Sequence, residues 1–469
     1  MKTARRATVR PQIELLENRL MPATLIGNIG AITTVGSVLP DWFASNLNDP
    51  AMQTLARTDY NRDRMITRND MLGLFAQAEL NSAISSDDFH DLAAIVAGGR
   101  AGYLSMPEDV LDLAAKVING DPDNGQYRYV TGYPQTLSFF VGPTVGTISA
   151  VSPGTFHSIS LGNLQAGDPA WKLQELVNKW SYGMDLPSAL NLVNGSWVSF
   201  RWGLDTSASL FGNGLSYADI RGRGDGYLLG AVAALANQSP GLITENFVDN
   251  GDGTYGVRFF NSDGTSNWVT VNRWLPENSY GNFVYANRGQ SLSDPSVKLW
   301  VALYEKAFAE ANASGNWNVG IGSTNSYLSI RVNNNDLFDD AWGHLTGTFE
   351  VGGPNFLSST DQAGFTHLVD YRLMNDEVVC LGAKPSSSGS TETIDGFTIA
   401  AGQTYAVLGH DPASGLFTVF NPWGLGNGYA NDVLQLTWKQ ITDIFDRYDI
   451  GAYPWQLQVS PGTVSNPTR

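Results

Sequence analysis

Cysteine, charged side chains and long apolar runs are all scarce in this sequence. The 469 residues include one cysteine, Cys380, so no disulfide bond can form within the chain. Charged residues make up 16% of the sequence, well below the roughly one quarter that is usual for soluble proteins. No apolar run reaches the ~18 residues that a membrane-spanning helix requires, so we expect no membrane span.

Histidine is scarce as well, and its spacing excludes the common metal motif. The five histidines show no H-E-x-x-H pattern, in which two rings on one helix face would bind zinc. We therefore expect His90, His157, His344 and His367 to be structural or surface residues. His410 is expected to lie in a loop.

Acidic residues, glycine and tryptophan are abundant by contrast. The chain has 45 acidic and 28 basic residues, and its formal net charge of −17 would repel the phosphate backbone of nucleic acids. Calcium or a basic protein partner suits such a chain better. The 50 glycines and 13 tryptophans indicate a folded, loop-rich and partly β protein.

The first 40 residues are predicted to be a targeting-like segment followed by a linker. The stretch RPQIELLENRLMPAT, residues 10–24, resembles a short N-terminal motif of many planctomycete proteins thought to be exported. The resemblance implies an exported or cell-surface protein. A plain amphipathic helix is the alternative interpretation, because the segment lacks the apolar core of a conventional secretory signal.

Residues 41–120 show helical periodicity with two turn-like interruptions. The first is DYNRDRMITRND, residues 59–70. Calcium takes six to eight oxygen ligands, which a twelve-residue loop supplies from positions 1, 3, 5, 7, 9 and 12. The loop resembles an EF-hand, and the resemblance implies these calcium ligands: Asp59, Asn61, Asp63, the Met65 carbonyl, Thr67 and Asp70.

Two positions depart from the EF-hand pattern. Arg64 stands where a left-handed turn favours glycine, and Asp70 stands where the pattern has the longer glutamate. The second interruption, AGGRAGYLSMPE at 97–108, has no oxygen side chain at positions 1, 3 or 5. We expect it to pair with the first loop without binding metal. A purely structural aspartate turn remains the alternative for the first loop.

Four blocks of the remaining chain resemble, in order and spacing, the calpain-type cysteine peptidases. They are GDGYLLGAVAALA (224–236), WVTVNRWLP (268–276), LWVALYEKAF (299–308), and AGQTYAVLG (401–409) with VFNPWG (419–424). The resemblance implies an α+β fold with a two-lobed papain-like core. We expect a linker at 121–165, a helical lobe at 166–345, a β-rich lobe at 346–460 and a tail at 461–469.

The catalytic positions that the resemblance implies carry the wrong residues for catalysis. The nucleophile position falls on Gly226, the base position on Gln403 and the ring-orienting position on Asn421. Glycine has no nucleophile, and a glutamine amide does not accept a proton near neutral pH. Removing the nucleophile of such a triad costs about a millionfold in rate. The position of the glutamine that helps to bind the oxyanion falls on Ile220.

Three functional hypotheses remain open. The first is a catalytically inactive calpain-like protein that binds polypeptides or regulates a protein partner, such as an active peptidase. The second is an active endopeptidase with a relocated nucleophile, Cys380 or Ser216. The third is a calcium-responsive structural or adhesion protein. Asp225, beside the nucleophile position, is expected to cap the following helix with its side chain.

Overall fold

A computed structural model describes most of the chain between residues 41 and 452. The described residues are 41–130, 156–193, 196–222, 225–314, 317, 319, 322–331, 338–349, 355–386, 391–424 and 432–452. The targeting-like segment 1–40, its motif and the tail 461–469 therefore lie outside the described residues. The chain divides into two units, Met1–Trp42 and Phe43–Arg469, and the second contains nearly all of the described structure.

The described part of the chain contains twelve α-helices and seventeen strands. The helices are α1 Trp42–Asn46, α2 Pro50–Asp63, α3 Arg68–Ala78, α4 Ser86–Arg100, α5 Glu108–Ile118, α6 Ala170–Tyr182, α7 Gly226–Gln238, α8 Pro240–Glu245, α9 Trp300–Ala311, α10 Phe338–Thr346, α11 Gln362–Met374 and α12 Trp438–Ile444. The strands are β1 Tyr127–Val130, β2 Phe156–Ile159, β3 Leu190–Val193, β4 Ser196–Ser199, β5 Arg201–Leu204, β6 Phe247–Asp249, β7 Thr254–Phe260, β8 Ser266–Asn272, β9 Trp274–Glu277, β10 Asn355–Phe356, β11 Val378–Ala383, β12 Thr391–Ile394, β13 Phe397–Ala400, β14 Thr404–Asp411, β15 Leu416–Phe420, β16 Val433–Leu436 and β17 Phe445–Gly451.

Helices α2 to α5 form two consecutive helix–loop–helix units, which we call the helical pair. Asp49 caps α2 by accepting from the Met52 backbone N–H, and Thr67 and Asp70 form a reciprocal capping box at the start of α3. The backbone N–H of Ile66 donates to the Ser105 carbonyl at 2.9 Å. The loop that joins α2 to α3 is thus hydrogen-bonded to the loop that joins α4 to α5.

The helical pair packs on α6 and on the β7–β8 hairpin. The Lys116 ammonium on α5 donates to Asn267 Oδ1 at 2.6 Å, and the Asp112 carboxylate accepts from the Trp268 backbone N–H at 2.9 Å. These contacts join buried and half-buried polar groups of α5 and β8. The helical pair is therefore fastened to the rest of the fold within one compact unit.

The described parts of residues 121–165 contain regular structure. Strands β1 and β2 pair antiparallel, and a short 3₁₀ helix, Pro122–Gly125, precedes them. Within that helix the Asp123 carboxylate accepts from the fully buried Lys179 ammonium of α6 at 2.7 Å. Lys179 also forms an ion pair with Asp185. A charge buried this deeply is stable only when it is paired, so this segment and α6 depend on each other.

Helix α7 lies at the centre of the remaining fold. It is apolar on all sides, and its residues from Gly226 to Ala236 are buried. It packs against β14 and β11 of a six-stranded sheet with the order β10-β17-β11-β14-β15-β16. A Cβ on Gly230 would meet the Thr404 carbonyl oxygen at 3.0 Å, so glycine allows the helix to approach the strand closely.

The named strand pairs of the described residues are antiparallel, and helices lie on their faces. This arrangement confirms the expected α+β class. Helix α9 packs on β8 and α10 packs on β7, which places both helices near α7. Among the described helices, none has the length and apolar character needed to cross a membrane.

Candidate active site at the start of helix α7

Gly226 is the first residue of α7, where a helix favours a negative charge. A nucleophilic thiolate would gain stability at this point of the fold. Gly226 is buried, and the following residue, Tyr227, is 1% exposed and donates its hydroxyl to the Ile330 carbonyl at 2.9 Å. The backbone of the predicted nucleophile position is therefore held firmly, without a reactive side chain.

The side chain of Gln403 fills the space beside Gly226. A Cβ placed on Gly226 would lie only 2.2 Å from Gln403 Oε1 and 3.1 Å from its Cδ, both well inside van der Waals contact. Gln403 directly precedes β14 and is 2% exposed. No described residue donates a hydrogen bond to its Oε1 atom. The structure thus brings the predicted nucleophile and base positions into contact, and the Gln403 amide oxygen lies where a side chain at position 226 would begin.

Asn421 follows β15 at the same end of the sheet as Gln403. Ala406 of β14 pairs with Phe420 of β15, which places the two residues on neighbouring chain segments. Asn421 is 1% exposed, and its Oδ1 atom accepts from the Trp423 backbone N–H at 3.1 Å. The amide oxygen of Asn421 therefore stabilises its own turn. The oxyanion position, Ile220, is also buried and offers no donor side chain.

Asp225 differs from the expectation that its side chain caps α7. It occupies the N-cap position, but its carboxylate makes no capping hydrogen bond. The carboxyl group lies within hydrogen-bonding reach of the Glu305 carboxyl of α9. Both groups are buried, and Glu305 Oε2 also accepts from the Ala286 backbone N–H at 2.7 Å. Long-range packing against α9 has replaced the local cap.

The Asp225 and Glu305 carboxyls form a buried acidic pair whose pKa values are raised. Burial raises the pKa of Asp225 to about 6, and burial together with the Asp225 charge raises the pKa of Glu305 well above its ordinary value. Two carboxylate oxygens can hydrogen-bond to each other only when one carboxyl is protonated. Sequence reasoning did not find this pair, because Asp225 and Glu305 stand in different blocks and meet only through packing.

The alternative nucleophiles, Cys380 and Ser216, have structural contacts. Cys380 lies in β11, is fully buried, and its Sγ atom contacts the Gly230 carbonyl at 3.8 Å. Ser216 forms a capping box with Asp219 at the start of a short 3₁₀ helix, where its hydroxyl accepts from a backbone N–H.

The expectation that His410 lies in a loop is wrong. His410 lies in β14, and its Nδ1 atom is 3.0 Å from the Asp370 carboxylate of α11. Strand β14 continues past residue 409, because His410 pairs with Phe417 of β15. It stands seven residues from Gln403, about 23 Å along an extended strand. This His–Asp pair is thus remote from Gly226.

The other histidines show no metal-binding arrangement within the described structure. His344 is buried, its Nδ1 atom lies 2.6 Å from the Phe260 carbonyl, and burial lowers its pKa to about 4. His90 is paired with Asp91, His367 stacks on Tyr371, and His157 lies in β2. No group of three or more His, Cys, Asp or Glu side chains among the described residues could hold a metal ion.

The predicted calcium loop begins later than its sequence pattern suggests. Helix α2 continues through Asp63, so Asp59, Asn61 and Asp63 lie on a helix. Successive helical residues rotate by about 100°, which places Asp59 and Asp63 on one face and Asn61 on another. Arg64 adopts the left-handed conformation, φ 63°, at the position where the loop pattern requires it.

The remaining predicted ligands take part in the turn itself. The Met65 backbone N–H donates to Asp63 Oδ1 at 3.1 Å, and Asp70 Oδ2 accepts from both the backbone N–H and the hydroxyl of Thr67. The guanidinium of Arg62 contacts Asp70 at 2.5 Å and Asp59 at 3.5 Å. The carboxylates of Asp59, Asp63 and Asp70 do not form a group that could hold a metal ion in the described structure. Calcium binding stays a prediction from the sequence.

These features define a class of protein: an α+β fold whose central helix begins at the predicted nucleophile position. The chain belongs to the calpain family of cysteine proteases, because the model of that family matches residues 196–444, more than half of the sequence. All three predicted triad positions lie within the match. A comparison with curated proteins finds no match.

Proposed function

We propose that this protein is a non-catalytic member of the calpain family that serves as a protein-binding scaffold. The observation that carries the proposal is the 2.2 Å separation between Gln403 Oε1 and a Cβ placed on Gly226. A cysteine side chain would fit there only if the Gln403 side chain moved, and Gln403 is the residue at the predicted base position. Gly226 supplies no nucleophile and Gln403 supplies no proton acceptor, and the two residues pack against each other.

The proposed partner is a polypeptide or a protein, such as an active peptidase. Gln403, Asn421 and Tyr227 are each at most 2% exposed, so a partner would dock on the outer surface and not at the family's catalytic position. The net charge of −17 favours a partner with a basic surface and disfavours nucleic acid. The motif at residues 10–24 supports an exported or cell-surface location for this interaction.

We also propose that the helical pair is an EF-hand-type pair and that the calpain-like core has two lobes. The hydrogen bond between Ile66 and Ser105 supports the pairing of the two loops, and both apolar position-8 residues, Ile66 and Leu104, are buried. Support for a β-rich lobe comes from one apolar cluster that draws on residues 357–450 alone.

Restoration of the missing groups tests the catalytic part of the proposal. The purified wild-type chain, the double variant Gly226→Cys/Gln403→His and a Cys380→Ser control would be assayed with fluorogenic peptides and with a thiol-alkylating probe. We expect no turnover by the wild-type chain and no labelling of native Cys380, because its thiol is buried. Labelling of the double variant at the introduced thiol of position 226 would show that the backbone still supports a thiolate.

Turnover by the wild-type chain would contradict the proposal. If that turnover disappears in Cys380→Ser, the relocated-nucleophile hypothesis is correct. If it persists in Cys380→Ser after removal of contaminating peptidases, a different catalytic residue is present. In either case the polypeptide that the protein binds would be a substrate.

A further inference from the structure

The loop between α2 and α3 is complete without an added ion. Its turn is formed by Arg64 in the left-handed conformation, and Asp70 closes the capping box with Thr67. The backbone of Ile66 is paired with Ser105 of the second loop. The loop therefore has the turn, the cap and the partner loop that a calcium-binding loop requires.

The side chains of this loop do not fit calcium. A calcium loop needs a bidentate carboxylate at position 12, which is Asp70 here. One oxygen of Asp70 accepts from Thr67, and the other accepts from Arg62. Asn61, on the opposite face of α2, is exposed. The carboxylate that would hold the ion is thus already occupied by donors from the chain.

Arg62 joins the two carboxylates that calcium would join. Its Nη2 atom lies 2.5 Å from Asp70 Oδ1, and its Nη1 atom lies 3.5 Å from Asp59 Oδ1. Asp59 and Asp70 are the first and twelfth residues of the loop pattern, one at the end of α2 and one at the start of α3. A planar guanidinium suits this bridge because its donors diverge to reach two carboxylates.

The helix positioned by this bridge contacts the core directly. Arg68, the first residue of α3, donates to the Ser181 carbonyl of α6 at 2.7 Å and pairs with Asp252 at 2.9 Å. Met71 and Phe75 of α3 are buried, and both α3 and α5 pack on α6. In calcium sensors, the ion opens a groove between such helices for a target helix. Here α6 of the same chain already covers that face.

We propose that Arg62 replaces calcium in this loop, so that the helical pair is a calcium-independent clamp on α6. A calcium sensor binds a calcium ion and a helix of another protein. Here Arg62 supplies the positive charge, and α6 of the same chain supplies the helix. The clamp fastens the helical pair to the calpain-like core in the presence and absence of calcium. This inference does not depend on whether the core is catalytic.

Thermal unfolding of the full chain, with millimolar calcium chloride or with EDTA, tests the proposal. The variants are Arg62→Gln, Asp70→Asn and their combination. Arg100→Gln is the matched control, since Arg100 is an exposed arginine at the end of α4. We expect calcium to leave the wild-type midpoint unchanged. Arg62→Gln should lower it by about 1 °C, because Arg62 is exposed and the folded unit is large. Asp70→Asn should add little to Arg62→Gln, because both remove the same bridge and the Asn amide oxygen can still accept from Thr67.

A second measurement follows hydrogen exchange in α6. Arg62→Gln should speed exchange of the α3 and α6 amides and leave that of β14 and β15 unchanged, because only the clamp is loosened. A saturable rise of the wild-type midpoint with calcium, abolished by Asp59→Asn, would overturn the proposal and support the calcium loop. An Arg62→Gln variant with the same midpoint and exchange as Arg100→Gln would overturn it as well.

Discussion

The start of α7 and the loop before α3 are alike in one respect and opposite in another. Each coincides with a functional site predicted from the sequence, and in each a side chain of the chain itself lies where the predicted pattern has another group. Gln403 is buried beside Gly226, whereas the Arg62 side chain is 60% exposed. A buried replacement is held by packing on all sides, while an exposed one is held by charge. Changes at Gly226 or Gln403 should therefore alter the free energy of unfolding more than changes at Arg62.

Removal of a buried cation should have the largest effect. Lys179→Met would leave Asp123 and Asp185 without their partner inside the protein, and we expect a loss of about 3–5 kcal/mol in the free energy of unfolding. Urea denaturation measures it. The control is Lys439→Met, which removes an ion pair whose lysine is 77% exposed. A loss below that of the control would show that burial does not set the cost of these charges.

Addition of one methyl group at the nucleophile position comes next. Gly226→Ala should destabilise the chain by about 1–3 kcal/mol, because its Cβ would overlap Gln403. The double variant Gly226→Ala/Gln403→Ala should be more stable than the sum of the two single changes predicts. Additive losses in the denaturation midpoints would mean that Gln403 does not fill this space.

The carboxyl pair beside Gly226 predicts a pH dependence. An acid whose pKa is raised by folding stabilises the protein fully below its unfolded value, and this stabilisation is lost as pH rises through the folded value, about 6 for Asp225. Stability should fall between about pH 4 and 7, and Asp225→Asn should reduce that fall by about 1–2 kcal/mol.

Unfolding by urea at several pH values measures the slope of this loss. Asp263→Asn is the control, because Asp263 is exposed and hydrogen bonds from the Thr265 side chain and backbone lower its pKa. Its own contribution is lost as pH falls, opposite in sign to that of Asp225. Equal slopes for Asp225→Asn and the wild-type chain would show that folding does not raise the pKa of Asp225.

The smallest effect should be a gain in stability. Gly73 lies within α3, and a Cβ there would meet no atom within 4 Å. Gly73→Ala should stabilise the chain by about 0.5–1 kcal/mol, because alanine loses less backbone entropy in a helix. A glycine-to-alanine substitution is thus expected to stabilise the chain at position 73 and to destabilise it at position 226. A destabilised Gly73→Ala variant would remove this contrast.

Much of the fold was predictable from short patterns. The four blocks predicted the calpain family, and the family match confirms it. Periodicity predicted the helical region before residue 120, which contains α2 to α5. Local sequence patterns gave the wrong prediction where a residue contacts a partner that is distant in the sequence. Asp225 pairs with Glu305 and does not cap α7, and β15 holds His410 in a strand.

The sequence by itself determined which chemical groups are missing. Glycine and glutamine at positions 226 and 403 exclude a thiol and an imidazole from those places, whatever the packing. Only the tertiary structure decided what stands there instead. The amide of Gln403 beside Gly226, and the guanidinium of Arg62 between Asp59 and Asp70, depend on side chains meeting across turns and elements. Residue identity limits the chemistry of a site, whereas packing decides which groups share its space.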